Sequence, residues 1–421
     1  MKASQPQSIA VIGLGFVGLP LCQLFLKKGY TLHGIDVNKG KLKNIAQGSV
    51  QNQDVDNDYL KQCINEKRFH LHDTGKGVTS AEAILICVPT PLTNNGEPEL
   101  SYIKQAISDI LPYLKHHQLI SLESTTYPGT TEELLVPKLV EKGFQVGKDF
   151  YLAYSPERIN PGSDVPLNKI PKVVGGMTPK CLEKASQIYQ SVFDDVFEVS
   201  STRTAEMTKL LENSQRFINI SFINDFAILC EKMNIDIHEV IDAASTKPYG
   251  FTRYTPSAGI GGHCIPVDPL YLAWKAKEYE HETPFIKLSD GINKMMPTYV
   301  TNKIKGILSS KTIHQTPSVL LVGVAYKKDV NDVRESAALP IIKLLQADGF
   351  HVDFYDPHVP SIFIDSKPYH SIDEESLSSS QYDIAVVLTD HSDLPYEKIY
   401  SSASYIIDKR NLFLPTLNDS V

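Results

Sequence analysis

The sequence contains few cysteines, and none of them stands close to another. Its 421 residues include six cysteines, of which no two form a CxxC pair. A disulfide framework or a zinc knuckle requires closely spaced cysteines, so the sequence indicates neither. We therefore expect a cytoplasmic protein that holds no metal ion.

Positive charge is also scarce. The chain has 41 Lys and Arg against 49 Asp and Glu, which gives a formal net charge of −8 at pH 7. A surface that follows nucleic-acid phosphates needs an excess of basic residues, so nucleic-acid binding is not expected. A local basic cluster can still bind an anionic small molecule.

Only residues 9–26, IAVIGLGFVGLPLCQLFL, form an uncharged apolar run of nearly the length of a membrane span. The run contains Gly13, Gly15, Gly18 and Pro20. These residues would weaken a helix in lipid, whereas they suit a buried strand followed by a tight turn and a helix. The sequence therefore predicts no membrane span.

The chain is longer than the roughly 250–300 residues at which a single core stops growing. Strand-like runs at 81–88, 118–125 and 149–156 alternate with helical patterns, and Thr130 and Glu133 have the spacing of a capping box. Residues 204–235 then form a helical run without Gly or Pro, and four strand-like runs follow residue 316. The pattern predicts an α/β protein with two Rossmann-like, doubly wound parallel-sheet domains, at 1–200 and 316–421, joined by a central all-helical domain at 201–315.

The first βαβ pattern carries a GxGxxG turn. The first glycine suits the tight turn, the second lets the backbone approach a pyrophosphate, and the third lets the helix pack on the sheet. An acidic residue ends the next strand, where it can accept hydrogen bonds from ribose hydroxyls and repel a 2′-phosphate. The turn therefore predicts NAD rather than NADP as cofactor, held by Gly13, Gly15, Phe16, Val17, Gly18 and Asp36.

A second glycine-rich stretch, GIGGHCIPVDP at 259–269, places Cys264 on a turn. Three interpretations are open for this residue: an inert buried thiol, a metal ligand together with His263, and a nucleophile. The metal interpretation is the weakest, since consecutive residues rarely reach one ion. Asp268 also has a structural interpretation, because Asp before Pro269 is a typical start of a helix.

The helical run after residue 201 contains Lys209 and Asn213, which are four residues apart and therefore share one helix face. We expect Met207, Leu210 and Leu211 to mark the packed side of this helix. Lys209 and Asn213 would then lie at its margin, where they could project into a cleft.

Together these motifs resemble the UDP-glucose/UDP-N-acetylhexosamine 6-dehydrogenase family over nearly the whole chain. The similar segments are VIGLGFVGLP, VPTP (88–91), ESTTYPGTT, YSPERINPG, TAEMTKLLEN, GIGGHCIPVDP and GVAYKKDVNDVRES (323–336). The resemblance implies NAD-dependent, four-electron oxidation of a sugar C6 alcohol to a carboxylate, for the synthesis of surface polysaccharide precursors. The reaction would pass through a thiohemiacetal and a thioester on Cys264.

The resemblance also implies roles for individual residues. Lys209 and Asn213 would stabilise the oxyanion, and Asp268 would orient or deprotonate a water. Glu157 would be the base for thioester hydrolysis, and Thr126 would position the water. The implied cofactor contacts include Pro89, Thr90, Thr126 and Arg334, and the implied substrate contacts are Glu157, Arg158, Lys209, Asn213, Arg253, Tyr254, Gly261 and Lys327.

Within the family the motifs resemble the N-acetylhexosamine branch, particularly UDP-N-acetylglucosamine 6-dehydrogenases. Ser257 and Ala258 depart from the Gly-Pro pair common in that branch. UDP-ManNAc and UDP-glucose are alternative substrates, a 6-phosphogluconate-type dehydrogenase is an alternative reaction, and a sensor of NAD or nucleotide sugar is the non-enzyme alternative. Apolar residues of the central helix predict a homodimer or a multiple of one, namely Phe217, Ile220, Phe222, Ile223 and Phe226.

Overall fold

The computed structural model describes residues 8–52, 54–93, 95–159, 165–309, 316–408 and 411–414. Within them the chain forms two compact units. The first unit comprises the described residues up to Glu212 together with Leu270–His281. The second unit comprises Asn213–Pro269 and the described residues from Glu282 onward.

The first unit is built on a sheet of eight described strands. They are β1 Ser8–Ile12, β2 Thr31–Ile35, β3 Phe69–His72, β4 Ala83–Ile86, β5 Leu119–Leu122, β6 Tyr151–Tyr154, β7 Lys172–Gly176 and β8 Val196–Val199. Their order in the sheet is β3-β2-β1-β4-β5-β6-β7-β8, and every neighbouring pair is parallel except β6 and β7. The strand order reverses between β1 and β4, and open α/β sheets bind ligands at such a switch point.

Helices cover the sheet of the first unit. They are α1 Gly18–Lys27, α2 Lys39–Gln47, α3 Asn57–Asn65, α4 Ser101–Ile110, α5 Val136–Glu141 and α6 Pro179–Gln190. Asn38, Asp56 and Thr178 start α2, α3 and α6 by accepting a hydrogen bond from a backbone N–H of the first turn. Ile9 and Val11 of β1 share one core cluster with Phe25 of α1. Burial of this alternate-residue face holds the helices on the sheet.

Long helices follow the first sheet along the chain. α7 spans Thr202–Lys232, α8 Ile237–Ser245, α9 Asp268–Ala276 and α10 Pro284–Ser309. The second unit packs its part of α7 against α8 and α10 through Ala227, Ile241, Met296 and Val300, all of which are buried. The predicted long helix is confirmed.

The second unit also contains a smaller sheet. Its strands β9 Ser318–Val322, β10 His351–Tyr355, β13 Ile384–Val387 and β14 Ile406–Ile407 are parallel and lie in the order β10-β9-β13-β14. An antiparallel hairpin joins β11 Ser361–Ile364 to β12 Lys367–His370, and the remaining helices are α11 Ala338–Ala347, α12 Glu374–Ser379 and α13 Tyr396–Ser401. The four strand-like runs predicted after residue 316 are confirmed, as is the α/β class with a helical central region.

The structure bears on the expectations for the apolar run, for a membrane span and for an all-parallel first sheet. The apolar run at 9–26 folds as β1, the glycine turn and most of α1, and none of the described helices is long and apolar enough to cross a membrane. The pair β6 and β7 is antiparallel, so the first sheet is mixed rather than wholly parallel. Antiparallel neighbours need no crossover helix between them.

The expected packed side of α7 was wrong for two residues. Met207 is 42% exposed and Leu211 is 65% exposed, whereas Leu210 is buried as expected. The buried face carries Glu206, Lys209 and Asn213 instead. Residues three, four and seven apart lie on one helix face, so this stretch of α7 turns a polar face inward.

Candidate active site

The glycine turn after β1 has free space at one of its three glycines. Gly13 has φ +90°, and a Cβ there would lie 2.6 Å from the carbonyl oxygen of Cys87. A Cβ at Gly18 would lie 2.0 Å from the carbonyl oxygen of Gly13, while a Cβ at Gly15 would meet no heavy atom within 4 Å. The fold itself requires the outer two glycines, and the middle one leaves the open approach that a pyrophosphate needs.

The residues beside this opening also fit a dinucleotide. Phe16 is exposed and Val17 is partly buried. α1 begins at Gly18, and Val17 before it has no polar side chain to cap the helix, which suits a helix end that receives an anion.

Asp36 joins the end of β2 to the glycine turn. Its buried carboxylate accepts the N–H of Leu14 at 2.9 Å and that of Asn38 at 3.0 Å. The Nζ of Lys41 lies 2.7 Å from Oδ2 of Asp36. A ribose diol bound here would share the carboxylate with Lys41, a neighbour that the sequence analysis did not identify.

The loop after β4 is held from two sides. Pro89 is exposed and Thr90 is buried. The Ser124 hydroxyl donates to the carbonyl oxygen of Val88 at 2.7 Å, and the Tyr271 hydroxyl donates to that of Pro91 at 2.9 Å. Ser124 and Tyr271 both belong to the first unit, so residues of this unit hold the loop in place.

Thr126 is fully buried in a loop that Glu206 organises. The Thr126 and Thr130 hydroxyls are 2.6 Å apart. The Glu206 carboxylate accepts the N–H groups of Gly129 and Thr131, at 2.5 and 2.9 Å, together with the Thr131 hydroxyl at 2.7 Å. Burial raises the pKa of Glu206 to about 7, against the opposing effect of these hydrogen bonds.

The expected capping box of Thr130 and Glu133 does not form. Thr130 makes no capping hydrogen bond, and Glu133 pairs instead with Lys275 at 2.9 Å. Glu206 takes the place of the local cap for the π-helical turn Thr131–Leu135. Glu206 was not among the predicted site residues, although its position three residues before Lys209 places both on one face of the helix.

Glu157 and Arg158 follow β6 in a tightly bonded loop. The Glu157 carboxylate is buried and accepts the N–H of Ile159. Arg158 pairs with Glu212 at 2.7 Å and donates to the carbonyl oxygen of Pro171 at 2.8 Å. The guanidinium therefore anchors the loop in this structure.

A buried ion pair lies next to the Glu157 loop. Lys172 Nζ is 2.5 Å from Glu123 Oε2, and it also donates to the carbonyl oxygen of Pro156 at 3.2 Å. Tyr189 donates its hydroxyl proton to Glu123. Burial lowers the pKa of Lys172, but the negative charges of Glu123 and Glu157 raise it above its ordinary value. The sequence analysis missed this group because its members are distant in the chain.

Asn213 and Asp268 meet in the second unit. The side-chain amide of Asn213 donates to Asp268 Oδ2 at 2.5 Å, and both residues are buried. Asp268 begins α9 as expected, and its N–H donates to the carbonyl oxygen of Cys264 at 2.9 Å. Lys209, one helical turn before Asn213, is buried in the first unit.

Cys264 is exposed, whereas the other five cysteines are buried, and none of the six forms a disulfide bond. Side chains of two helices hold the loop that precedes it. Asn224 of α7 accepts the N–H of Ser257 at 2.9 Å. Asn293 of α10 accepts the N–H of Ile260 at 2.7 Å and donates to its carbonyl oxygen at 3.2 Å. An exposed thiol on a fixed backbone is suited to nucleophilic chemistry.

The other predicted ligand contacts of the second unit have partners of their own. Arg253 pairs with Asp242 at 2.6 Å, and the Tyr254 hydroxyl donates to Gln215 at 3.2 Å. Arg334 pairs with Asp332 at 2.6 Å, and Lys327 is partly buried.

One cluster among the described residues has side chains that suit a metal ion: Asp329, His358 and His391. Nδ1 of His391 accepts the N–H of Asp329 at 2.9 Å, and its Nε2 lies 3.2 Å from Asp356. Ser392 donates to both carboxylate oxygens of Asp329. These bonds give the cluster a structural role in the second sheet.

The predicted site residues therefore divide between the two units. The first unit holds Gly13, Gly15, Phe16, Val17, Gly18, Asp36, Pro89, Thr90, Thr126, Glu157, Arg158 and Lys209, and the second holds Asn213, Arg253, Tyr254, Gly261, Cys264, Asp268, Lys327 and Arg334.

Three segments of the chain match domains of one enzyme family. Residues 7–193 match the NAD binding domain of the UDP-glucose/GDP-mannose dehydrogenase family, residues 203–295 its central domain, and residues 320–415 its UDP binding domain.

Individual relatives cover most of this chain. It is 35% identical to a UDP-N-acetyl-D-mannosamine dehydrogenase of Methanococcus maripaludis over 91% of this chain and 86% of the relative. It is 36% identical to a UDP-N-acetyl-D-glucosamine 6-dehydrogenase of Pseudomonas aeruginosa over 83% of each chain. The solved structure of a UDP-D-ManNAc dehydrogenase from Pyrococcus horikoshii superimposes with a TM-score of 0.86 at 30% identity, covering 98% of this chain and 96% of the other.

Proposed function

The chain belongs to the UDP-glucose/GDP-mannose dehydrogenase family and is an NAD-dependent UDP-sugar dehydrogenase, and on that premise we propose that it oxidises C6 of a UDP-N-acetylhexosamine to the carboxylate. The observation that carries the proposal is the exposed thiol of Cys264 and its connection to Asp268 and Asn213. The carbonyl oxygen of Cys264 accepts the N–H of Asp268, and the Asp268 carboxylate accepts a hydrogen bond from the Asn213 side chain. We also propose that the chain has three domains, at residues 1–200, 201–315 and 316–421.

The glycine turn and Asp36 would hold NAD, which supplies a hydride acceptor for each of two oxidation steps. In the first step the C6 alcohol would lose a hydride to the cofactor and its hydroxyl proton to a water oriented by Asp268, which would leave an aldehyde. An aldehyde carbon cannot readily give a second hydride until it becomes tetrahedral. The Cys264 thiolate would therefore add to it, and the resulting thiohemiacetal would lose the second hydride to leave a thioester.

The remaining residues would serve the oxygen atoms of these intermediates. Lys209 and Asn213 would stabilise the oxyanion, and the Asn213 amide is already oriented by Asp268. Water held by Thr126 and deprotonated by Glu157 would cleave the thioester, which releases the carboxylate and regenerates the thiol. Each substrate thus yields one carboxylate and two NADH.

The sequence analysis favoured UDP-GlcNAc, while the relatives at comparable identity include enzymes named for UDP-ManNAc and for UDP-GlcNAc. We therefore propose the N-acetylhexosamine class. Arg253, Tyr254, Gly261 and Lys327 would contact the nucleotide sugar, together with Arg158, and Arg334 would contact a cofactor phosphate. The six free thiols support a reducing, cytoplasmic location, in the supply of surface polysaccharide precursors.

The decisive experiment measures NADH formed per sugar consumed with UDP-GlcNAc, UDP-ManNAc, UDP-GalNAc and UDP-glucose. We expect a ratio of two and at least a tenfold higher kcat/KM for one N-acetylated sugar than for UDP-glucose. Cys264→Ser should bind both ligands but form no free carboxylate at a normal rate. A ratio of one with release of aldehyde would refute the covalent route, and equal kcat/KM for UDP-glucose would refute the sugar class.

A further inference from the structure

Two glycines, Gly261 and Gly262, stand shortly before Cys264, and the resemblance implied that Gly261 contacts substrate. The structure places a protein side chain beside them instead. A Cβ at Gly261 would lie 2.7 Å from Cβ of Tyr326 and 2.8 Å from the carbonyl oxygen of Glu335. Gly262 has φ +89°, and a Cβ there would lie 2.7 Å from the Tyr326 ring. The glycines thus make room for Tyr326.

Backbone hydrogen bonds connect the same two loops. The N–H of Gly262 donates to the carbonyl oxygen of Arg334 at 2.9 Å, and the N–H of Tyr326 donates to that of Asp332 at 2.9 Å. The segment 323–336, which the resemblance linked to nucleotide binding, therefore lies directly against the nucleophile loop. All these residues belong to the second unit.

The contact between the two loops also brings the positive charge of Arg334 to the nucleophile loop. The side chain of Arg334 is about half exposed, 48%, and forms a two-point ion pair with Asp332. Burial lowers the pKa of Arg334, but the charges of Asp332 and of the Cys264 thiolate raise it above its ordinary value. The carbonyl oxygen of Arg334 accepts the N–H of Gly262, two residues before Cys264, so Arg334 is held beside the nucleophile loop.

Two other titratable neighbours in this unit, His263 and Tyr326, are neutral at pH 7. Burial, and then the charge of Arg334, lower the pKa of His263, so its ring is neutral at pH 7. Burial raises the pKa of Tyr326, so its hydroxyl is neutral as well. The Asp268 carboxylate is engaged by Asn213. Arg334, paired with Asp332, is thus a cation held against the nucleophile loop, and Lys327 of the segment 323–336 is a second cation of this unit.

We propose that Tyr326 and Arg334 are positioning residues for Cys264: the Tyr326 ring sets the path of the backbone at Gly261 and Gly262, and the Arg334 guanidinium favours the thiolate. The inference rests on the proposed nucleophilic role of Cys264. It assigns to the second α/β region a part in preparing the thiol before any ligand binds.

The test measures alkylation of Cys264 by iodoacetamide across pH 6–10 in the full-length protein without NAD or sugar. The five buried thiols give little background, and Cys264→Ser measures it. We expect a midpoint below the ordinary thiol value of about 8.5. Arg334→Met should raise the midpoint by about 0.5–1 unit and slow alkylation at pH 7 about three- to tenfold, whereas Arg334→Lys should behave like the wild type.

Tyr326→Phe keeps the ring and should leave both the midpoint and kcat unchanged. Tyr326→Ala should lower kcat at least tenfold at unchanged KM for NAD, and Tyr326→Leu replaces it if the alanine variant does not fold. A folded Arg334→Met protein with the wild-type midpoint would overturn the role of the charge. A folded Tyr326→Ala or Tyr326→Leu protein with wild-type kcat would overturn the positioning role. Carboxylate formation by Cys264→Ser would instead refute the proposed function and leave the alkylation result intact.

Discussion

At the scale of the residue, a shared motif conceals different physical demands. Gly13 and Gly18 are required by the chain itself, because added Cβ atoms would collide with backbone oxygens. Gly15 faces open space, so its lack of a side chain serves a ligand. The same amino acid therefore has a folding role at two positions and a binding role at the third.

This difference predicts opposite outcomes for two alanine substitutions. Gly13→Ala should lower the free energy of unfolding by about 2–4 kcal/mol, because it combines a left-handed φ with a backbone clash. Gly15→Ala should leave thermal unfolding nearly unchanged but weaken NAD binding at least tenfold. Calorimetry and NAD titration of both variants test this, and a stable Gly13→Ala protein with normal NAD affinity would contradict it.

At the scale of the element, the turn at Thr131 is capped by a carboxylate from α7 rather than by its own residues. Glu206 accepts three hydrogen bonds there while fully buried. Its nearest opposite charge, Arg203 on the same helix, is paired with Glu132. The carboxylate therefore fixes the Thr126 loop at the cost of burying a charge.

Glu206 predicts a pH-dependent stability with a defined sign. Its folded pKa is raised to about 7 from an ordinary value of 4.5, so the folded state binds more protons between these values and loses stability as pH rises through them. The loss should approach about 3 kcal/mol and be complete roughly one unit above pH 7. Glu206→Gln should remove this dependence, so its stability relative to the wild type should rise from pH 5 to 8.

Chemical denaturation at several pH values measures this difference. Glu132→Gln is the matched control, since Glu132 is a half-exposed carboxylate in the turn that Glu206 caps. Parallel pH profiles for the wild type and Glu206→Gln would show that Glu206 does not titrate in this range.

A second prediction at this scale concerns the buried pair between β7 and the end of β5. Lys172→Met should cost about 3–5 kcal/mol, because it leaves the Glu123 charge buried without its partner. Lys172→Met combined with Glu123→Gln should recover most of that loss, since the amide still offers an acceptor to Tyr189. Urea denaturation measures the free energy of unfolding of the two variants. If both lose the same amount of stability, the loss does not come from breaking the Lys172–Glu123 ion pair.

At the scale of the whole molecule, α7 exposes an apolar stripe. Phe222 is 53% exposed and Phe226 41%, with ring centroids 4.7 Å apart, and Leu229 and then Met233, just past the end of the helix, continue the stripe. Spacings of four, three and four residues place these side chains on one helix face. Such a face is typical of a protein interface, here proposed to be with a second copy of the chain. Phe217 and Ile223, which were also predicted to contribute, are instead buried within the chain.

We therefore expect light scattering at micromolar concentration to give a dimer, or a multiple of one, of the 46.9 kDa chain. Phe222→Ser together with Phe226→Ser should shift the protein to the monomer mass. Tyr102→Ser, at an exposed tyrosine of the first unit, should leave the mass unchanged. A wild type that remains at 46.9 kDa would contradict the proposal.

The sequence by itself determined the features that depend on neighbours in the chain. Strand and helix periods, the glycine turn before α1, and the long helix without Gly or Pro predicted the α/β elements and the NAD turn, because these follow from local geometry. The glycine-rich surroundings singled out Cys264, but they left three interpretations open, and its nucleophilic role was implied only by the family resemblance.

The tertiary structure alone decided which residues meet across long distances. Glu206 replaces the capping box expected at Thr130, and Lys172 reaches Glu123 from a strand 49 residues away. Met207 and Leu211 face solvent while Glu206 and Asn213 turn inward, and Tyr326 occupies the space beside Gly262. The physical reason is that burial of a polar or charged group becomes favourable only through partners brought by the fold, and those partners leave no periodic trace in the sequence.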